Sequence, residues 1–394
     1  MNILIVIDDY LPLSKKVSAK MMHELAVDMV ARGHHVTALV PKAKDEPEIT
    51  SIDGVSLIRY YAGRIKNAPK VVRLINEVRL SKRALQAFNQ YYHEKLDLIV
   101  YYSPSIFFSS LVFALKKKYD AKSYLVLRDF FPQWVIDHGM IGKNSLLAKF
   151  FRFYERKNYL AADKIGVMSP ANLEWFNSYT DHKFECLTEV LYNWVSSNSL
   201  KNIAKNENFR RKYALQDKVI FIYGGNIGYA QDMMNIIRLA VNLSIEPLAH
   251  IVLIGQGDEF GLVERKITEF GLNNILLLPG LPQEQYFSVQ KTADIGLFSL
   301  HRDHKTHNFP GKILGYLAQG MPVLGSVNPG NDLLGVINNA GAGFVTVTGE
   351  EEQLFQNALI LVRNLSEREQ MAVKSKHLMG KLFSVEQAVN KILN

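Results

Sequence analysis

Cysteine is nearly missing from this chain. Its 394 residues hold one, Cys186, which excludes an internal disulfide framework and suits a reducing compartment. No partner motif surrounds Cys186, so it reads as a structural or incidental thiol. No stretch of eighteen apolar residues occurs, so the sequence carries no signal of a membrane-spanning helix. The opening MNILIVIDDY has no basic leader and no small-residue cleavage site, and its apolar run is short for a signal peptide. The expectation is a cytosolic protein that can touch a membrane from that side. Low-complexity segments and short repeats are missing as well. So are zinc-finger, homeodomain and RNP patterns, which leaves nucleic acid out of the expected partners.

What is present suffices for two domains. The length exceeds one typical domain, and 48% apolar residues can build two cores. The net charge of +8 is uneven. Residues 1–190 carry 27 Lys and Arg against 20 Asp and Glu, and the remainder 19 against 18. The basic first half suggests an anionic partner.

Short apolar runs alternate with helical patterns along the whole chain. Asn2 to Ile7 reads as a buried parallel strand. A helix from Ser18 to Ala31 follows, with Met22, Leu25, Ala26, Met29 and Val30 on one face and Gly33 as its stop. Val36–Val40, Leu98–Tyr102, Tyr124–Leu127 and Lys164–Met168 are further strands. Residues 196–217 are polar and read as a linker with a short helix. A second series then places strands at Val219–Tyr223, His250–Ile254, Ile275–Leu278, Ile295–Leu300 and Pro322–Gly325. The chain ends in a helical stretch, Ser384–Leu393. The expected domains are 1–192, a linker 193–217, 218–375, and a terminal helix 376–394 that packs back on the first domain. Alternation of this kind predicts an α/β fold of two Rossmann-like parallel-sheet domains, with ligands at the carboxyl ends of the strands.

The stretch His301–Gly320, HRDHKTHNFPGKILGYLAQG, follows one such strand and opens a helix whose Ile313, Leu314, Leu317 and Ala318 share a face. A helix N-terminus favours an anion. His301, His304 and His307 have no second ligand group, and Arg302 and Lys305 would repel a cation, so phosphate and sugar hydroxyls fit better than a metal. Lys312 can reach a diphosphate as a point charge or stand as a solvated surface lysine. The run Gly224 to Gln231, GGNIGYAQ, is a strand followed by a glycine-rich turn that either cradles a phosphate or simply turns. Gly255-Gln256-Gly257 and Gly280-Leu281 repeat the theme at the next strands and add up to one ligand floor.

In the first half, Asp129 follows a strand and is either a reaction-centre carboxylate or a turn residue. Ser103 is compatible with hydroxyl contacts or a plain turn. Ser14, Lys15, Lys16 and Lys20 could meet an anionic acceptor. Arg64 to Arg83 holds seven Lys and Arg with one Glu and reads as a basic amphipathic stretch suited to an anionic membrane surface, ahead of an ordinary surface helix. Lys116-Lys117-Lys118 and the run 149–157 add to that charge.

The order of these features resembles the family 4 retaining glycosyltransferases of GT-B fold. The resemblance spans the chain, through ARGHHV at 31–36, ADKI at 162–165, Tyr192-Asn193-Trp194, Gly224 to Gln231 and Phe309 to Pro322. Asn193-Trp194 and Pro310-Gly311-Lys312 look most like the bacterial O-antigen and capsule branch that includes N-acetyl-L-fucosamine transferases. The resemblance implies two domains facing across a cleft, with donor in the C-terminal one and acceptor in the N-terminal one. It departs from the family where two Glu are replaced by His307 and Gly315, and where the diphosphate-gripping Arg and Lys fall at Asn226 and Gln231. It implies a retaining transfer without metal or other cofactor, from a UDP-sugar to a lipid-linked saccharide at the inner face of the bacterial inner membrane. Asp129 and Lys312 take the catalytic places. Donor contacts fall to Gly225, Asn226, Gly228, Gln231, Gly255, Gly257, Leu281, His307, Pro310, Gly311, Lys312, Ile313 and Leu314. Acceptor contacts fall to Ser14, Lys15, Lys16 and Ser103. A sugar-nucleotide epimerase of the same fold and a non-catalytic nucleotide-sugar-binding subunit are the alternatives.

Overall fold

The apolar run after Met1 forms strand β1 (Asn2–Val6) at the middle of a parallel sheet. Its Leu4, Ile5 and Val6 are all fully buried, although successive side chains point to opposite faces. Both faces are therefore covered, which is why parallel strands read as unbroken apolar runs. The computed structural model describes every residue except 13, 15, 43–47, 66–67, 138, 197–202 and 304–308. It comprises two units, Met1–Tyr192 with Ala388–Asn394, and Asn193–Gln387.

In the first unit the strands are β1, β2 (His35–Lys42), β3 (Ile49–Ile52), β4 (Val55–Tyr61), β5 (Leu98–Ser103), β6 (Lys122–Leu127), β7 (Lys164–Val167) and β8 (Thr188–Val190). Their order is β3-β4-β2-β1-β5-β6-β7-β8, and the β3–β4 pair alone is antiparallel. The chain winds one way from β1 to β2 and the other way from β5 onward. The switch lies between β1 and β5, and ligands of open α/β sheets bind at such a point. Helix Val17–Ala31 buries Met22, Leu25, Ala26 and Met29.

The second unit has β9 (Val219–Asn226), β10 (Ala249–Gln256), β11 (Ile275–Pro279), β12 (Ile295–Ser299), β13 (Val323–Val327) and β14 (Gly343–Val347), ordered β11-β10-β9-β12-β13-β14 and all parallel. Here the switch lies between β9 and β12. Those two strands pair only at Ile295–Phe221 and Gly296–Ile222. Beyond Ile222 they part, and the buried Tyr316 hydroxyl lies there, donating to the Leu297 carbonyl at 3.1 Å. A buried polar network lies beside β12 and β13. The Asn235 amide donates to Ser299 and Ser326 Oγ at 3.2 Å each, and Ser326 meets Thr346 at 3.1 Å.

Three expectations change. Gly224, Gly225 and Asn226 do not turn; they are the last three residues of β9. The stretch expected as a linker belongs to the second unit. Its Arg210 donates to Thr292 O and Lys218 O at 2.8 Å each and pairs with Asp294 at 2.7 Å. The terminal stretch 376–394 is divided: residues up to Gln387 go with the second unit and Ala388–Asn394 with the first, where Arg32 donates to Asn390 Oδ1 at 2.5 Å.

Candidate functional site

A lysine lies against the carboxyl end of β9. Lys312 is the second residue of helix Gly311–Ala318. Its Nζ is buried and has no hydrogen-bond partner among the described residues. It lies 3.3 Å from the centroid of the Tyr223 ring on β9. Burial holds its ammonium well below the usual lysine range. The helix places it there because Ile313, Leu314 and Leu317 are buried on the opposite side. A buried unpaired charge is costly, and proteins keep one chiefly where a ligand of opposite charge completes it.

Glycines line the strand tips around this lysine. Gly225 has φ of +118°, a conformation that favours glycine, and a Cβ there would meet Lys312 Cε at 3.8 Å. Gly255 faces Gly225 in the β9–β10 register, and a Cβ on it would overlap the Gly225 carbonyl oxygen. A Cβ on Gly257 would overlap the Ile227 oxygen, and one on Gly228 the Asp258 carboxylate. Gly280, before the half-buried Leu281, sits beside Gln256. The glycines expected as a ligand floor thus meet at the tips of β9, β10 and β11, with backbone close to backbone.

Asn226 and Gln231 turn toward each other. Asn226 Nδ2 donates to Gln231 Oε1 at 2.7 Å. The Tyr223 hydroxyl donates to the Asn226 carbonyl. Tyr229 stacks on His301 at 4.3 Å and 28°, and His301 N–H donates to the Ala230 carbonyl at 3.0 Å. Pro310 and Gly311 lie at the helix entry, and the Ile313 N–H turns back to Pro310 O at 3.1 Å. Ile313 and Leu314, expected at the donor, bury their side chains in the core; only their backbone remains for a ligand. His304, Lys305 and His307 lie outside the described residues, as does Lys15. Tyr223, the aromatic shelf under Lys312, was missed in the sequence. Its signal was an aromatic immediately before a double glycine at a strand end.

In the first unit, β1, β5 and β6 are neighbours, so the residues after them share one edge. Tyr102 on β5 is close enough to Arg128, Asp129 and Asp8 to feel their charges, and its hydroxyl bonds Ser18. Asp129 is exposed at the end of β6. Surrounding protein raises its carboxyl above the ordinary range, and Arg128 opposes that rise. Arg128, missed in the sequence, is buried, and desolvation pushes it down to about 10. Its guanidinium reaches the Gly166 and Tyr192 carbonyls at 3.4 and 3.3 Å. Ser14 and Ser103 are buried. Ser14 Oγ accepts from Lys16 N–H at 3.1 Å, a local turn, and Lys16 Nζ is 3.4 Å from Asp9. Among the described residues no group of three His, Cys, Asp or Glu could hold a metal ion.

Residues 205–377 match the family model described as Glycosyl transferases group 1. The putative colanic acid biosynthesis glycosyl transferase WcaI of Escherichia coli K12 is 25% identical over 232 residues, 57% of this chain and 56% of that protein. The chain thus spans a little over half of that relative. Sucrose-phosphate synthase from Thermosynechococcus elongatus superposes with a TM-score of 0.70 at 14% identity, over 99% of this chain and 97% of that one. Anabaena HepE, solved in complex with UDP, gives 0.67 at 15% identity, over 100% and 98%. The fold is GT-B. The similarity to the Glycosyl transferases group 1 model lies in residues 205–377, within the second unit.

Proposed function

We propose that the chain is a retaining glycosyltransferase that moves a sugar from a UDP-sugar to a lipid-linked saccharide during surface polysaccharide synthesis. The observation that carries this reading is Lys312, a buried cation without a hydrogen-bond partner among the described residues, at a strand switch point and a helix N-terminus. A diphosphate supplies the missing charge, and free N–H groups of the helix entry add to its binding. The same groups stabilise the negative charge that grows on the leaving diphosphate, so this reading needs no metal ion. The UDP bound to Anabaena HepE and the biosynthetic role in the name of WcaI are consistent with the donor and the pathway class. We place the acceptor at the edge holding Asp8, Tyr102, Arg128 and Asp129, where Asp129 polarises the acceptor hydroxyl. An N-acetylated deoxysugar such as N-acetylfucosamine, and O-antigen or capsule as product, rest on the resemblance of Asn193-Trp194 and Pro310-Gly311-Lys312. The reading places the enzyme in the cytoplasm, on the inner face of the membrane that carries such acceptors.

Thermal melting against nucleoside diphosphates tests the donor site. UDP at about a hundred times its dissociation constant is expected to add roughly 2.7 kcal/mol of stability. No shift with any nucleoside diphosphate overturns the reading. A panel of UDP-sugars with lipid-linked acceptors then tests transfer, and turnover is expected to survive EDTA.

Asp129→Asn is expected to lower kcat by roughly 10² to 10⁴ through loss of a general base, with the UDP melting shift intact. Unchanged kcat removes Asp129 from the reaction centre.

A further inference from the structure

On the first unit, helix Leu146–Leu160 turns an apolar stripe to solvent. Leu146 is 84% exposed, Phe153 54% and Leu160 53%. These residues are seven apart, so they lie within a narrow arc of one helix face. Lys149, Arg156 and Lys157 are exposed beside them. Lys157 Nζ lies over the Phe153 ring at 4.6 Å. The helix's single acid, Glu155, is buried on the other side against Tyr159 and Tyr179. Every exposed charge of this helix is therefore positive.

A second helix repeats the pattern. Lys70–Val78 buries no residue at all, and Val71 is 70% exposed. Lys70 and Arg79 border it, while Arg73 is paired with Glu77 at 2.8 Å. The two helices are linked through packed side chains. Just after the second helix, Ser81 Oγ donates to Phe107 O at 2.5 Å. Phe107 packs on Tyr154 at 5.0 Å, and Tyr154 on Phe150 at 5.0 Å. Apolar surface of this extent, interleaved with cations, marks an interaction site. A lone protein partner would be expected to cover the stripe with a matching apolar face and leave the cations at its rim. Here the cations flank the stripe closely on both sides, Lys157 lying over the Phe153 ring, as lysines do when their stems lie among acyl chains and their heads reach anionic headgroups.

We propose that these two helices form the face by which the protein docks on an anionic lipid bilayer. This deepens the lipid-linked-acceptor reading and rests on it for its purpose. Helix Leu146–Leu160 lies in the crossover that runs from the carboxyl end of β6, where Asp129 sits, to β7. A bilayer held against it would meet the same crossover that carries Asp129.

Flotation of the full chain with vesicles tests the face. Vesicles of phosphatidylcholine with one third phosphatidylglycerol are expected to bind it at least ten-fold more than phosphatidylcholine alone, about ten-fold marking a 1.4 kcal/mol difference. Leu146→Glu with Phe153→Glu is expected to remove that binding, and Lys149→Ser or Lys157→Ser to weaken it by about five-fold each. Val71→Glu is an independent variant on the second helix. Ile245→Glu, equally exposed on the second unit, is the control. Equal binding to both vesicles, no binding, or full binding by the Leu146/Phe153 variant overturns the proposal. So does a wild-type dimer that this variant dissolves. UDP melting shifts are read in parallel. Their loss with vesicle binding retained overturns the donor site and leaves the docking face standing.

Discussion

Lys312→Met is expected to do two opposite things: to end nucleotide-dependent turnover and to make the free protein harder to melt. The ammonium of Lys312 is buried, rests on the Tyr223 ring and lacks a hydrogen-bond partner among the described residues. Methionine fills a similar volume without a charge. Replacing an uncompensated buried charge by an apolar isostere relieves its desolvation, and an effect of about 1 to 4 kcal/mol is the usual scale. For a unit of this size each kcal/mol moves the melting temperature by roughly 2 to 4 °C. The catalytic loss is larger. Removing one preorganised donor from a developing negative charge costs about 10² to 10³ in kcat, and the UDP melting shift should vanish with it. Full UDP binding by the methionine variant removes Lys312 from the site.

The sign of the pH dependence gives a second handle on the same residue. Burial depresses the folded-state pKa of Lys312 below the ordinary lysine value of 10.5. Between the two values the unfolded chain holds a proton that the folded chain has released. Stability of the free protein from this residue therefore rises with pH across that window, and Lys312→Met lacks that rise. Diphosphate binding has the reverse slope, because the anion prefers the ammonium. Its affinity falls as pH climbs through the folded-state pKa. At a pH inside that window, titration calorimetry in buffers of different ionisation enthalpy should detect proton uptake on UDP binding in the wild type and less of it in the methionine variant.

The βα alternation was legible because buried parallel strands need apolar residues on both faces. Runs such as Asn2–Ile7 and Ile295–Leu300 leave no other reading in a chain with so many of them. The hairpin of β3 and β4 went unread although its signal was present. Asp53 and Gly54 both have positive φ, 49° and 80°, as a two-residue turn between strands requires. The extension of β9 through Gly224 to Asn226 was hidden for a physical reason. Glycine usually signals a turn, but here the missing side chains admit the Tyr286 ring at Gly224 and the β9 backbone at Gly255. The place of Lys312 could be read from its position after a strand and at a helix start. Its burial could not, because burial depends on Tyr223, nearly ninety positions earlier in the chain. Arg128 was passed over for a similar reason: arginine beside aspartate looks like a surface pair, yet only Asp129 is exposed.

The pairing of Asn226 with Gln231 sharpens what Lys312 must do. Neither residue carries charge, and their hydrogen bond at 2.7 Å ties up one donor and one acceptor. Among the described residues, positive charge near the tips of β9 and β12 comes from the buried Lys312, the helix entry and the exposed Arg302. Of these cations Lys312 is the buried one, and the strand tips hold it in place.

Gly255→Ala should therefore act on the site from a distance and without touching its charge. The new methyl group would overlap the carbonyl oxygen of Gly225, which is backbone and has no rotamer to escape into. Either β10 moves away from β9, or Gly225 moves across the space above Lys312. Overpacking of this kind costs about 1 to 3 kcal/mol, and more where the backbone must shift. The expected result is a lower melting temperature together with a UDP shift that is reduced or gone. Gly261→Ala separates this from any general effect of losing a glycine. Gly261 lies in helix Phe260–Glu269, its nearest neighbour to a new Cβ being Arg265 Nη1 at 3.6 Å. There alanine is favoured over glycine by roughly 0.5 to 1 kcal/mol. A Gly255→Ala protein that melts and binds UDP like the wild type would show that the tips of β9 and β10 are free to part, and Lys312 would then need another means of being held beneath the ligand.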